Sequence, residues 1–269
     1  MRIYGRGDVA ARDASRVRVR WAEQLPASDL LDLLDAVERD RLAGYRSSTA
    51  ASAFASGVAM LKCVVGDAVG SAAQEVELRR RCPDCGGPHG KVDTFSGHGV
   101  HTSLAHAGRV VVVALSESAP VGVDVEPVVA ARGRPTTAER DDGQRDLDDL
   151  ERSADGMLHP DEVERLAGLP QAERARWILG RWVVKEAALK ATGDGLRLDP
   201  RKVSVADAGG GTGRRTLAAW DGVVPPSMAL WMGSSVPGHL LGVAMLTSQV
   251  GPPADVPPHV SERPLGRRS

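Results

Sequence analysis

Two apolar runs of strand length, Arg109–Leu115 and Val121–Val125, flank the polar turn Glu117–Pro120 and constrain the fold more than any other feature. Short Val- and Leu-rich runs bounded by turn residues read as buried strands, and a connection this brief reads as a hairpin. Further strands are expected at Val76–Arg79, Lys202–Val205, Met228–Met232 and His239–Leu246. Helical periodicity predicts helices over Pro26–Gly44 (Ser28 as N-cap), Thr49–Val65, Leu147–Ala154, His159–Gly168 and Gln171–Thr192, the last closed by Gly193. Irregular alternation with hairpin-linked strands favours α+β over a doubly wound parallel sheet. No short-period repeat is present.

Charge and composition narrow the function classes. Lys and Arg number 34 against 35 Asp and Glu, a net charge of −1, so no global basic field exists for nucleic acid. An anionic ligand must be held by local basic clusters. The longest apolar runs, Val110–Leu115 and Leu240–Leu246, are far short of a membrane span. Three cysteines and an N-terminus lacking an apolar signal core lead to the expectation of a reducing, cytoplasmic location. Cys82 and Cys85 with His89 have the spacing of half a zinc knuckle. A closed zinc site needs four ligands, and Cys63 falls in a helix expected to be buried, so no metal is expected there.

The chemistry-bearing residues fall in two segments. In Gly122-Val-Asp-Val-Glu126, strand alternation puts Asp124 and Glu126 on one face and Val123 and Val125 on the other. Paired carboxylates repel unless a cation lies between them, and Mg²⁺ suits a few carboxylate oxygens with room for water and phosphate. On the long helix Trp182, Glu186 and Lys190 share a face at four-residue spacing, offering a third carboxylate and a cation. A D-x-E on a strand is also a common solvated face, and E-x-x-x-K a common surface ion pair; spacing alone leaves both readings open.

These residues resemble a known family. GVDVE, then after the segment 127–181 the run Trp182-Val-Val-Lys-Glu-Ala-Ala-Leu-Lys190-Ala-Thr-Gly-Asp-Gly195-Leu196, is similar to the signature of the 4′-phosphopantetheinyl transferases of the Sfp type. Thr102-Ser-Leu-Ala-His106-Ala107, Gly90-Lys91, Glu38–Arg46 and the HPDEVERL stretch from His159 resemble further family segments, so that the likeness spans residues 26–206. The resemblance implies two similar α+β halves related by a pseudo-twofold axis, each a small, mostly antiparallel sheet packed with helices. The expected organisation is 1–116 for the half contacting the coenzyme A nucleotide and 117–250 for the half with the metal site. A mobile loop is expected at 128–143 and an unpacked tail at 251–269.

The implied activity is Mg²⁺-dependent transfer of the phosphopantetheine arm of coenzyme A to a serine of an acyl or peptidyl carrier protein, by a monomer. The implied metal ligands are Asp124, Glu126 and Glu186. Glu186, Lys190 and His106 are the implied catalytic groups, and Arg41, Arg46, Lys91, His106 and Lys190 the implied coenzyme A contacts. Ala105, Ala107 and Val183 depart from the family, which has a hydroxyl or thiol there, and Val92 replaces a proline. Two other readings use the same residues. A Mg²⁺-dependent nuclease or phosphodiesterase gathers similar groups, but the chain lacks a basic, aromatic-lined strip. A degenerate transferase would bind carrier protein without modifying it, a reading motivated by Ala105 and Val183.

Overall fold

A computed structural model describes residues 17–80, 85–87, 90–93, 99–128, 147–208, 213–247 and 259–262. In chain order the strands and α-helices are β1 (Arg18–Glu23), α1 (Ala36–Ala43), α2 (Ser48–Val69), β2 (Arg79–Arg80), β3 (Val92–Asp93), β4 (His101–Ala107), β5 (Val110–Ser116), β6 (Val121–Pro127), α3 (Leu147–Met157), α4 (Pro160–Ala167), α5 (Gln171–Thr192), β7 (Val203–Asp207), β8 (Arg214–Trp220), β9 (Met228–Gly233), β10 (His239–Leu246) and β11 (His259–Glu262). They fall into two units, Met1–Val121 with Pro258–Ser269, and Gly122–Pro257. Each sets helices against a mainly antiparallel sheet, which is the α+β class read from the sequence.

In the first unit the sheet runs β11-β1-β5-β4. β5 is antiparallel to β1 (Val112 opposite Trp21) and to β4 (Val113 opposite Leu104). Every residue of β5 is buried, as its uninterrupted valines require of a central strand. Helix α2 is long and apolar enough to cross a membrane by composition, but two thirds of its apolar stretch is covered inside the fold. Met60, Leu61, Val64 and Val65 pack with Val111, Val113 and Leu115 of β5. In the second unit the order is β6-β10-β9-β8-β7, with a bulge in β7 at Ser204/Val205. Helix α5 supplies Ile178, Val183, Val184, Ala187 and Leu189 to its core, which Val203, Leu230, Leu240 and Ala244 complete.

The structure departs from the sequence reading in four places. Pro26–Gly44 is not one helix: a 3₁₀ turn over Ala27–Leu33 ends where Leu34 turns extended, and α1 restarts at Asp35. Asp35 is the cap, since its carboxylate accepts from Glu38 N (2.8 Å) while Glu38 accepts from Asp35 N (2.9 Å); Ser28 only bonds the neighbouring Asp29 carboxylate. The expected strand at Val76–Arg79 contracts to Arg79–Arg80, because a 3₁₀ turn at Ala73–Glu75 runs into Val76. The expected hairpin across Glu117–Pro120 does not form: β5 joins the first sheet and β6 the second, so that link connects the two units. Finally, the C-terminal segment expected to be unpacked contributes β11, parallel to β1 with His259 opposite Arg18. Strands β1, β3, β4 and β8 were not anticipated as strands. The expected mobile loop lies outside the described residues from 129 onward.

Candidate active site

The geometry of the site follows from one glycine. Gly122, Asp124 and Glu126 alternate on the same face of β6, while Val121, Val123 and Val125 are buried on the other. Helix α5 meets that face at Gly122, where a Cβ would lie 1.9 Å from the Ala187 carbonyl oxygen and 2.6 Å from Ala191 N. No residue but glycine admits so close an approach. Because the helix is seated there, its i, i+4, i+8 face runs along the carboxylates. Lys190 Nζ donates to Asp124 Oδ1 at 2.6 Å and lies 3.8 Å from Glu186 Oε2. At the other end the Trp182 indole N–H donates to Glu126 Oε1 at 3.1 Å. The spacing that predicted a shared face for Trp182, Glu186 and Lys190 is realised.

Electrostatically the site is under-neutralised. Glu186 is largely buried, and burial raises its carboxyl above the ordinary carboxylate range; Lys190 opposes this, while Asp124 and Glu126 push it further up. Its Oε1 is buried without a hydrogen-bond partner. A buried acceptor left unpaired is costly, and three mutually repelling carboxylates face one ammonium. Hard oxygen donors of this kind fit a hard divalent cation. Among the described residues no three acidic, histidine or cysteine side chains already form a metal-ligand set. Asp124 is instead turned onto Lys190 and Glu126 onto Trp182.

The other predicted residues belong to the first unit. His106 is exposed on β4 between Ala105 and Ala107, both buried. Strand alternation puts the two alanines on the face opposite His106, whereas Leu104, on the His106 face, packs with Val111 and Val113 in the core that α2 covers. Val183 likewise is fully buried, and its carbonyl abuts Gly242 of β10. Arg41 is half-buried with its guanidinium 4.9 Å from the Phe54 ring centre, and Phe54 also stacks with Tyr45. Arg46 and Lys91 are exposed.

Sequence reasoning missed Arg80. Its guanidinium reaches the Gly90 carbonyl at 3.5 Å, beside Lys91. Burial lowers its pKa and the charge of Arg41 lowers it further, with Glu38 and Tyr45 opposing. The charges of Arg41 and Arg80 thus repel, a repulsion that an anion near both would relieve. The only signal in the sequence was a run of three arginines, which a solvated turn carries equally well. Cys63 is buried and Cys85 exposed; Cys82 and His89 lie outside the described residues.

Residues 120–225 match the profile of the 4′-phosphopantetheinyl transferase superfamily. Over 177 residues the chain is 28% identical to the 4′-phosphopantetheinyl transferase HetI of Nostoc sp. (strain PCC 7120), covering 64% of this chain and 65% of that protein. It is also similar to the crystal structure of Thermotoga maritima holo-[acyl-carrier-protein] synthase at 19% identity, covering 49% of this chain and 64% of that one, with a TM-score of 0.31. The chain thus spans just under two thirds of the length of each of these relatives.

Proposed function

We propose, from the premise that residues 120–225 carry the pattern of the 4′-phosphopantetheinyl transferase superfamily, that this protein moves the phosphopantetheine arm of coenzyme A to a carrier-protein serine. The observation that supports this most is the β6–α5 site: three carboxylates and one lysine gathered inside the matched segment. Asp124, Glu126 and Glu186 are the residues that would hold a divalent cation, Mg²⁺ in this reading. When bound, it would polarise the pyrophosphate oxygens and offset their charge.

The chain's own groups then divide the remaining work. The carrier serine oxygen forms a bond to the β-phosphorus of coenzyme A, and the bond from that phosphorus to the bridging oxygen breaks, releasing 3′,5′-ADP. Glu186 accepts the serine proton; its raised pKa makes it a stronger base than a solvated carboxylate. Lys190, already among the carboxylates, balances charge on the phosphates. Arg41, Arg46, Lys91 and His106 are proposed phosphate contacts, to which Arg80 is added by its bond to the Gly90 carbonyl next to Lys91.

The test is to incubate the protein with coenzyme A, Mg²⁺ and a panel of apo carrier proteins and to read intact masses. A gain of one phosphopantetheine, abolished by EDTA and by replacing the carrier serine, is the expected result. Coenzyme A binding with no gain on any carrier would favour a degenerate binder. Neither binding nor gain would return the carboxylates to metal-dependent phosphodiester chemistry.

A further inference from the structure

Lys185 precedes Glu186, yet it faces away from the carboxylates and is wholly buried. Its ammonium lies 2.5 Å from Glu162 Oε2 and donates to the carbonyls of Met157 (2.9 Å) and Pro200 (3.2 Å), which satisfies its three N–H donors. Glu162 is equally buried and equally committed. The same Oε2 accepts from His159 N (3.0 Å) as half of the α4 capping box, and Oε1 accepts from Val205 N (2.8 Å). One ion pair thus joins the end of α3, the start of α4, the middle of α5, the turn at Pro200 and strand β7. All of these elements lie in the second unit.

The first unit contains the same device at matching positions. Lys62 of α2 is buried, 2.7 Å from Glu38 Oε2, and Glu38 is likewise the N3 residue of a capping box, in α1. Helices α2 and α5 each have 22 residues and end on a left-handed glycine, Gly70 or Gly193. Lys62 stands fourteen residues after Ser48, and Lys185 fourteen after Gln171. Nine residues into each helix comes a glycine against the sheet: Gly57 opposite Leu104 of β4, Gly180 opposite Met232 of β9. Even the short helices agree, Glu38-Arg-Asp-Arg-Leu-Ala-Gly44 against Glu162-Val-Glu-Arg-Leu-Ala-Gly168. The residue after the lysine is where the units diverge: Cys63 in one, Glu186 in the other.

We propose that Glu162 and Lys185 are positioning residues that fix the rotation and axial setting of α5, so that Trp182, Glu186 and Lys190 lie along Asp124 and Glu126. The recurrence separates the device from the chemistry. The same clamp sets a helix in which Cys63, not an acidic residue, directly follows the lysine, so its own task is geometric. In the second unit that geometry carries the reactive face, one residue further round the helix. The catalytic consequence rests on the transferase reading; the geometric one does not.

The test uses the full chain with 5-fluorotryptophan and the double variant E162Q/K185M. Removing both charges leaves neither buried ion unpaired, which such cores commonly tolerate. The Trp182 fluorine resonance, assigned with W182F, reports the indole bond to Glu126. We expect it to shift or split in the folded variant, while kcat for carrier modification falls about tenfold or more with KM for coenzyme A nearly unchanged. K62M in the first unit is the comparison: it should lower thermal stability and leave the Trp182 resonance in place. A folded E162Q/K185M protein with the wild-type Trp182 resonance overturns the proposal. If the double variant does not fold, E162Q is read by the same resonance, and an unmoved signal there overturns it equally. If the wild-type protein modifies no carrier, the transferase reading fails while the fluorine signal still decides the clamp.

Discussion

Glu186 combines burial, an unpaired oxygen and two acidic neighbours, so the group proposed to take the serine proton also burdens the fold. Glu186→Gln should therefore act in two directions. Turnover should fall about 10²- to 10⁴-fold, the usual worth of a positioned base. The thermal midpoint measured in EDTA should rise, because one of three repelling charges is gone; full turnover in the variant would refute the assignment. Asp207 shows the opposite balance. Burial acts to raise its pKa, but the bond from Arg181 and the charges of Arg181, Arg215 and Arg165 prevail and hold it below the ordinary 3.8. A depressed folded pKa gives stability that is present above the unfolded value and lost as pH falls through the folded one. Asp207→Asn should accordingly lower the thermal midpoint at pH 7, and the gap should narrow as the pH falls below 3.8 and close below the lower folded value; a gap independent of pH would discount the ion pair. The site carboxylates were legible because strand alternation and four-residue helix spacing are local rules. Arg80 and the clamp were not, since a buried Lys or Arg is distinguished from a solvated one only by partners distant in sequence.

At the scale of elements, the glycines decide which contacts are rigid. Gly122 and Gly180 both touch α5 contacts, but their surroundings differ. A Cβ at Gly122 would meet helix backbone at 1.9 Å, whereas one at Gly180 would meet the Met232 sulfur at 2.7 Å, the yielding end of a flexible chain. G122A should then cost about 3 kcal/mol or more, and G180A less than about 1, since overpacking is costly where the obstacle cannot move. Urea denaturation checks the order, and equal losses would mean that α5 does not rest on β6. Helix α5 was read from the sequence to its exact ends because Gly193 marks one end and the apolar period is unbroken. The neighbouring error has the same physical root in reverse. Four turn residues between two valine runs look like a hairpin, but strand pairing is decided by sheets assembled from distant segments. β5 therefore pairs with β1 and β4, and the link leads into another unit. The helix at Pro26–Gly44 failed for a subtler reason: its leucine stripe suits a 3₁₀ turn as well as an α-helix, and the strong Asp35–Glu38 capping box restarted the helix within it.

On the scale of the whole molecule, the first unit is discontinuous: the chain leaves it near Val121 and returns at Pro258 to lay β11 along β1. Nothing local announces this. His259-Val-Ser-Glu262 follows a proline-rich stretch and has no apolar alternation, so its order comes from the edge it meets. β1 is bonded to β5 on its inner side, and without β11 its outer edge would present unpaired amides and carbonyls. Ending the chain after Pro257 should therefore loosen one unit selectively. Amides of Arg18–Glu23 that face β11 should exchange about tenfold faster or more, as losing a bond or two of roughly 1 kcal/mol each implies. Protection in β9 and β10 should be unchanged, because both strands lie within Gly122–Pro257. Hydrogen exchange read by mass spectrometry on both segments decides the matter. Equal loss in both sheets would mean that the units unfold as one; no loss in β1 would mean that β11 merely rests on an edge already stable without it.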